Sequence, residues 1–169
     1  MCAALAGLDE PVTIGTEKLP DDQEPAKAVV PSAVLFICGL NSIRSPIAEA
    51  LARSLLPSRI YIASAGVEKG EPDPFVDAVL EEVGLKRISV QPRTFKELED
   101  DYFDLIITLS PKAHHMALEL TRTTSVHVEY WPTPDPTLVQ GRRNQIMDAY
   151  RDVRENLKRH ILERFGRTG

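Results

Sequence analysis

The chain has 169 residues and a net charge of −5, long enough for one domain with a buried core and without the basic surface of a nucleic-acid binder. No apolar run approaches the roughly 20 residues that a membrane span needs. The start, Met1 to Gly7, is short and carries no basic residue, unlike a secretory leader, so a cytoplasmic protein with no membrane partner is expected. The two cysteines, Cys2 and Cys38, are too few for a disulfide framework, and in a reducing compartment Cys38 stays a free thiol.

Residues 1–31 mix Asp9, Glu10, Glu17, Asp21, Asp22 and Glu24 with Pro11, Pro20, Pro25 and Pro31 and show no periodicity. They are predicted to be a flexible acidic tail before a single domain over 32–167. Ala33 to Ile37 is a continuous apolar run, as in a buried parallel strand. A loop over 38–44 follows. Ser45 and Pro46 then suit the cap and first position of a helix whose apolar face is Ile47, Ala48, Leu51, Leu55 and Leu56. Arg59 to Gly66 is a second strand. Phe75 to Val83 is a helix stopped by Gly84, and Thr94 to Glu99 suits a short helix. Phe103 to Leu109 is a third buried strand, and Ser110-Pro111 opens a helix to about Leu120. Ser125 to Trp131 alternates like an edge strand, Trp131 to Thr137 is a Pro-rich loop, and 140–165 is a long amphipathic helix. Strands alternating with helices imply an α/β fold with a parallel sheet covered on both faces.

In such a sheet, ligands bind where strands end and helices begin, and Cys38 stands there. A helix N-terminus offers unpaired N–H groups and the positive end of the dipole, which makes an anion site and favours a thiolate. Arg44 adds a planar fork of donors that fits two oxygens of a tetrahedral oxyanion. Between them, Gly39 lets the backbone approach a ligand and Asn41 tolerates the left-handed conformation of a curled loop. The Ser45 hydroxyl can cap the helix or donate to the Cys38 sulfur. The Gly-Lys-Ser/Thr ending of a nucleotide P-loop is missing. A thiolate attacking a phosphate ester needs an acid for the leaving oxygen. Asp135, held between Pro134 and Pro136 after the fourth strand, can supply it. His114, His115, His127 and His160 have no metal-ligand spacing on one face, so no metal is expected.

Val34 to Ala50, containing Cys38-Gly39-Leu40-Asn41-Ser42-Ile43-Arg44-Ser45-Pro46, resembles the signature of the low-molecular-weight protein tyrosine phosphatases. Ser64-Ala65-Gly66 and Asp135-Pro136 match it in order. The resemblance implies a three-layer α/β/α fold with a four-stranded parallel sheet in the order 2-1-3-4. It implies a two-step, cofactor-free mechanism in which Cys38 forms a phosphocysteine and Asp135 protonates the leaving group and then activates water. Arg44 and the N–H groups of Gly39, Leu40, Asn41, Ser42, Ile43 and Ser45 would hold the phosphoryl oxygens, with Asn41, Ser45 and Ser64 in a supporting network. The implied partner is a phosphorylated protein or a small aryl phosphate.

Some positions depart from the family pattern. Thr137 and Leu138 stand where aromatic residues flank a substrate ring, Ile43 replaces a second loop cysteine, and no histidine of the network stands near Ser89. The family's arsenate reductases share the loop. Their thioredoxin-coupled kind needs two further cysteines, and residues 39–169 contain none. An arsenate reductase using an external small thiol and a non-catalytic module binding an oxyanion or a phosphoprotein are the alternatives to the phosphatase.

Overall fold

The computed structural model describes residues 30–99 and 102–166. Residues 1–29, and with them nearly all of the expected tail, lie outside the described residues. Pro31, placed in the tail by its sequence, is buried. The Asp104 carboxylate accepts hydrogen bonds from the Ser32 N–H at 2.8 Å and the Ala33 N–H at 2.9 Å, pinning the start of the first strand.

Four parallel strands form the sheet: β1 (Ala33–Cys38), β2 (Tyr61–Gly66), β3 (Leu105–Thr108) and β4 (His127–Tyr130), in the order β2-β1-β3-β4. The order is the one the sequence resemblance implies. β1 lies between two neighbours and under two layers, so all six of its residues are buried, which explains its unbroken apolar run. Alternate residues serve opposite faces. Val34, Phe36 and Cys38 share a core with α1 (Arg44–Leu55), α2 (Pro74–Glu81) and α4 (Arg143–Phe165). Ala33, Leu35 and Ile37 pack with Ala113 and Ala117 of α3 (Pro111–Leu120) on the other face. Cys38 pairs with Gly66 and Ile37 with Thr108, so the ends of β1, β2 and β3 lie along one edge.

Several element ends differ from the sequence expectation, each for a local reason. Arg59 and Ile60 do not join β2, because the Ile60 N–H turns back to the Pro57 carbonyl at 3.0 Å. Asp73 caps α2 by accepting from the Phe75 N–H at 2.9 Å. α2 ends at Glu81, and Gly84, with φ of +75°, follows a tighter terminal turn. The stretch 94–99 yields only one 3₁₀ turn, Phe95–Glu97. β3 and β4 are shorter than the runs that suggest them, and α4 begins at Arg143 rather than near Gln140.

Glu82 binds the end of α2 to α4. Its carboxylate takes bonds from Arg151 Nη2 at 2.7 Å and from Arg154 Nη1 at 2.8 Å. The Arg151 bonds, then those of Arg154, hold the carboxyl down at about 2. A depressed folded value means stability that is present above the unfolded value of about 4.3 and lost as pH falls toward about 2. Glu82→Gln is therefore expected to lower the melting temperature by a few degrees at pH 7, with the gap from wild type closing across that acid window in thermal melts. An equal gap at all pH values would remove the ion-pair explanation.

Candidate active site

Cys38 is the last residue of β1 and is 2% exposed. Beyond it, the carbonyls of Cys38 and Gly39 accept from the N–H groups of Val67 at 3.1 Å and Glu68 at 2.9 Å. In a trans peptide the following N–H points opposite to the carbonyl, so the N–H groups of Gly39 and Leu40 face away from residues 67 and 68. Among the described residues none accepts from the N–H groups of Gly39 through Ile43. The loop thus presents main-chain donors without acceptors among the described residues at the start of α1, an arrangement that attracts an anion. Asn41 makes the bend with φ of +54°, as its side-chain type suggests. Gly39 is not required by packing: a Cβ there would meet only Arg44 Nη2, at 3.9 Å. Packing does require a glycine at residue 66, where a Cβ would lie 2.7 Å from Asn41 N and 2.8 Å from Leu40 C.

The Ser45 hydroxyl does not cap α1. Arg44 already belongs to the helix, and Ile43 holds the cap position without a side-chain bond. Ser45 Oγ instead lies 2.9 Å from Cys38 Sγ. The direction of the surrounding bonds follows from one main-chain donor. The Arg93 N–H reaches Asn41 Oδ1 at 2.9 Å, which fixes the amide so that Nδ2 faces Ser45 Oγ at 2.8 Å and Ser64 Oγ at 3.0 Å. Both serines therefore accept from Asn41, and their own hydrogens point onward. Ser64 donates to the buried carboxylate of Glu49 in a very short bond. Ser45 can donate to Cys38 Sγ or to the Ala65 carbonyl at 3.3 Å. A thiolate takes the Ser45 hydrogen; a thiol donates to Ser45 Oγ while Ser45 turns to Ala65.

Sequence reading missed two members of this network. Glu49 is 1% exposed. Burial pushes its carboxyl above the usual range, opposed by the Ser64 hydroxyl and by Arg53 and Arg93. Its Oε1 lacks a hydrogen-bond partner, with Arg53 Nη2 at 3.5 Å and Arg93 Nη2 at 4.0 Å. Arg93 supplies the donor to Asn41 from its main chain, and its Nε donates to the Ser64 carbonyl at 3.0 Å. A charged residue with small neighbours inside an apolar helix face was the available signal for Glu49. Arg93 had none, because a backbone contact carries no side-chain signature.

Arg44 Nη1 donates to the Thr133 carbonyl at 3.0 Å, tying the Cys38 loop to the loop that carries Asp135. Asp135 Oδ1 accepts from the Thr137 N–H at 2.9 Å and from Thr137 Oγ1 at 2.6 Å. No described residue donates to Oδ2. Thr137, at a position expected to flank a substrate, turns its hydroxyl back onto Asp135, whereas Leu138 is 78% exposed. The histidines stay apart: His114 bonds Thr108 and stacks on Tyr130, and His160 meets the edge of Trp131. Among the described residues no cluster of three His, Cys, Asp or Glu could hold a metal, and no helix is long and apolar enough to cross a membrane.

Fold and site together define an α/β domain with a loop of unpaired main-chain donors between a cysteine and an arginine. The chain belongs to the family of low molecular weight phosphotyrosine protein phosphatases, whose model matches residues 33–165. It is 29% identical over 141 residues to an arsenate reductase of Bacillus subtilis, covering 80% of this chain and 96% of that one. The solved arsenate reductase of Archaeoglobus fulgidus is 31% identical, with a TM-score of 0.57 over 76% of this chain and 98% of its own. A tyrosine phosphatase of Escherichia coli K30, solved with sulphate, shares the fold at 24% identity with a TM-score of 0.62 over 81% of this chain and 100% of its own.

Ser45→Ala removes the donor to sulfur. Alkylation of Cys38 by iodoacetamide at pH 6 is expected to slow by about tenfold, the scale of one hydrogen bond to a charged group. An unchanged rate would mean that the Ser45 hydrogen stays on Ala65.

Proposed function

We propose that the protein is a cysteine-dependent phosphomonoesterase working through a phosphocysteine on Cys38. The observation that carries this reading is the Ser45 hydroxyl at 2.9 Å from the Cys38 sulfur, in a network where Asn41, fixed by Arg93, donates to Ser45 and leaves the Ser45 hydrogen free for the sulfur. Such a donor stabilises a thiolate as nucleophile and again as leaving group. In the first step the sulfur attacks phosphorus, the ester P–O bond breaks and Asp135 gives its proton to the departing oxygen. In the second, Asp135 takes a proton from water, which attacks phosphorus and expels the thiolate. Arg44 and the loop N–H groups bear the charge on the equatorial oxygens. Gly39, Leu40, Asn41, Ser42, Ile43 and Ser45 form the phosphate cradle. The aliphatic Leu138 and the inward-turned Thr137 put no aromatic residue at the two positions after Asp135-Pro136, which favours a small aryl phosphate or a phosphorylated protein side chain without demanding a phosphotyrosine ring. A reactive free thiol suits a reducing compartment, the cytoplasm.

A second reading is favoured by the names of the similar proteins, several of which are arsenate reductases. Reduction needs two electrons. With Cys38 the only cysteine among the described residues, they would come from an external small thiol. That thiol would attack the sulfur of a Cys38–arsenate adduct, release arsenite and leave a mixed disulfide for a second thiol to reduce. Hydrolysis needs no electron donor, so the residues present suffice for it.

The two are separated by assaying aryl phosphate hydrolysis and glutathione-dependent arsenate reduction side by side. Hydrolysis is expected in wild type, to be lost in Cys38→Ser, and to slow by roughly 10²–10⁴-fold in Asp135→Ala, the usual cost of losing general acid–base catalysis. Arsenate reduction without hydrolysis would overturn the phosphatase in favour of the second reading. Phosphate binding with neither activity would leave a binding module.

A further inference from the structure

Resting on this reading of the loop as an oxyanion cradle, we infer that Gly70 is a positioning residue for it. Gly70 lies in the segment that leaves β2, outside every helix and strand. Its N–H donates to the Leu40 carbonyl at 3.0 Å, continuing the bonds from Val67 to Cys38 and from Glu68 to Gly39. The three bonds form a rail along the outer side of the loop. They turn the carbonyls of residues 38–40 outward and, across each trans peptide, turn the N–H groups of residues 39–41 the other way.

The third bond is possible because residue 70 has no side chain. A Cβ on Gly70 would lie 2.9 Å from Leu40 Cβ and 3.4 Å from Leu40 Cδ1, and would overlap Ser42 Oγ. Ser42 Oγ is a rotatable hydroxyl, held only by a 3.4 Å bond to the Leu40 carbonyl, and can turn away. Leu40 Cβ is fixed to the loop backbone and cannot. A side chain at residue 70 therefore pushes directly on the residue whose carbonyl and following N–H set the cradle. Gly70 has no need of glycine's unusual backbone angles, since its φ is not among the positive ones. Its role is one of clearance. Leu40 is itself 48% exposed, so core packing does not hold its side chain.

The test is a double-mutant cycle on full-length protein, with inorganic phosphate as the probe in calorimetry. Phosphate binding requires the cradle but not turnover. Gly70→Ala is expected to weaken phosphate about tenfold or more, the consequence of overpacking at a fixed contact, and to raise KM for an aryl phosphate more than it lowers kcat. In a Leu40→Gly background, where the obstructing Cβ is gone, the same substitution should change affinity less than about threefold. An equal loss in both backgrounds, or no loss in either, would overturn the inference. If Gly70→Ala alone fails to fold, recovery of folding in the pair supports the clash with Leu40, and failure of the pair also overturns it. A wild-type protein that binds no phosphate would instead defeat the cradle reading, and the inference with it.

Discussion

The main-chain N–H of Arg93, bonded to Asn41 Oδ1, settles the direction of the Asn41 bonds to the two serines beside Cys38. A backbone N–H can only donate. The Asn41 amide therefore presents its nitrogen to both serines, and both serines pass their hydrogens outward, one toward the buried Glu49 carboxylate and one toward the nucleophile or the Ala65 carbonyl. Reversing the amide would set its NH2 group against the Arg93 N–H, leaving that N–H without an acceptor and turning the oxygen toward the two serines. The orientation of both serine hydroxyls thus depends on a residue 52 positions further along the chain.

That dependence separates what local sequence reveals from what it hides. β1, the loop and the start of α1 were legible because each rests on neighbouring residues: an apolar run, small turn residues, then Ser-Pro. The sheet order was legible only through the family resemblance. Ser45 kept two roles in the sequence, helix cap or donor to Cys38, because both call for the same hydroxyl at the same place, and only the position of Ile43 at the cap decides between them. Gly39 drew attention by standing in the motif, whereas the packing requirement falls on Gly66 and Gly70, far along the chain. Arg93 is 52 residues from the amide it fixes, and nothing near it in sequence marks the contact. Thr137 looked like a substituted substrate wall until its hydroxyl was found on Asp135.

The two proposed chemistries begin alike, with a thiolate attacking a tetrahedral oxyanion, and part at the second step. Transfer to water needs a carboxylate and no redox partner. Reduction needs further thiols. Arg44 links the Cys38 loop to the segment that carries Asp135 through the Thr133 carbonyl, two residues before the carboxylate that the first route needs. Electron supply for the second would have to come from outside the described domain.

The most direct test is to quench the protein with acid during turnover of a phosphate-labelled aryl ester and to locate the label by peptide mapping. If Cys38 is the nucleophile, the label resides on the peptide that contains Cys38, builds up further in Asp135→Ala with a good leaving group, and is absent in Cys38→Ser. Label on any other residue, or steady hydrolysis by Cys38→Ser with no covalent label, would contradict thiolate catalysis at this loop.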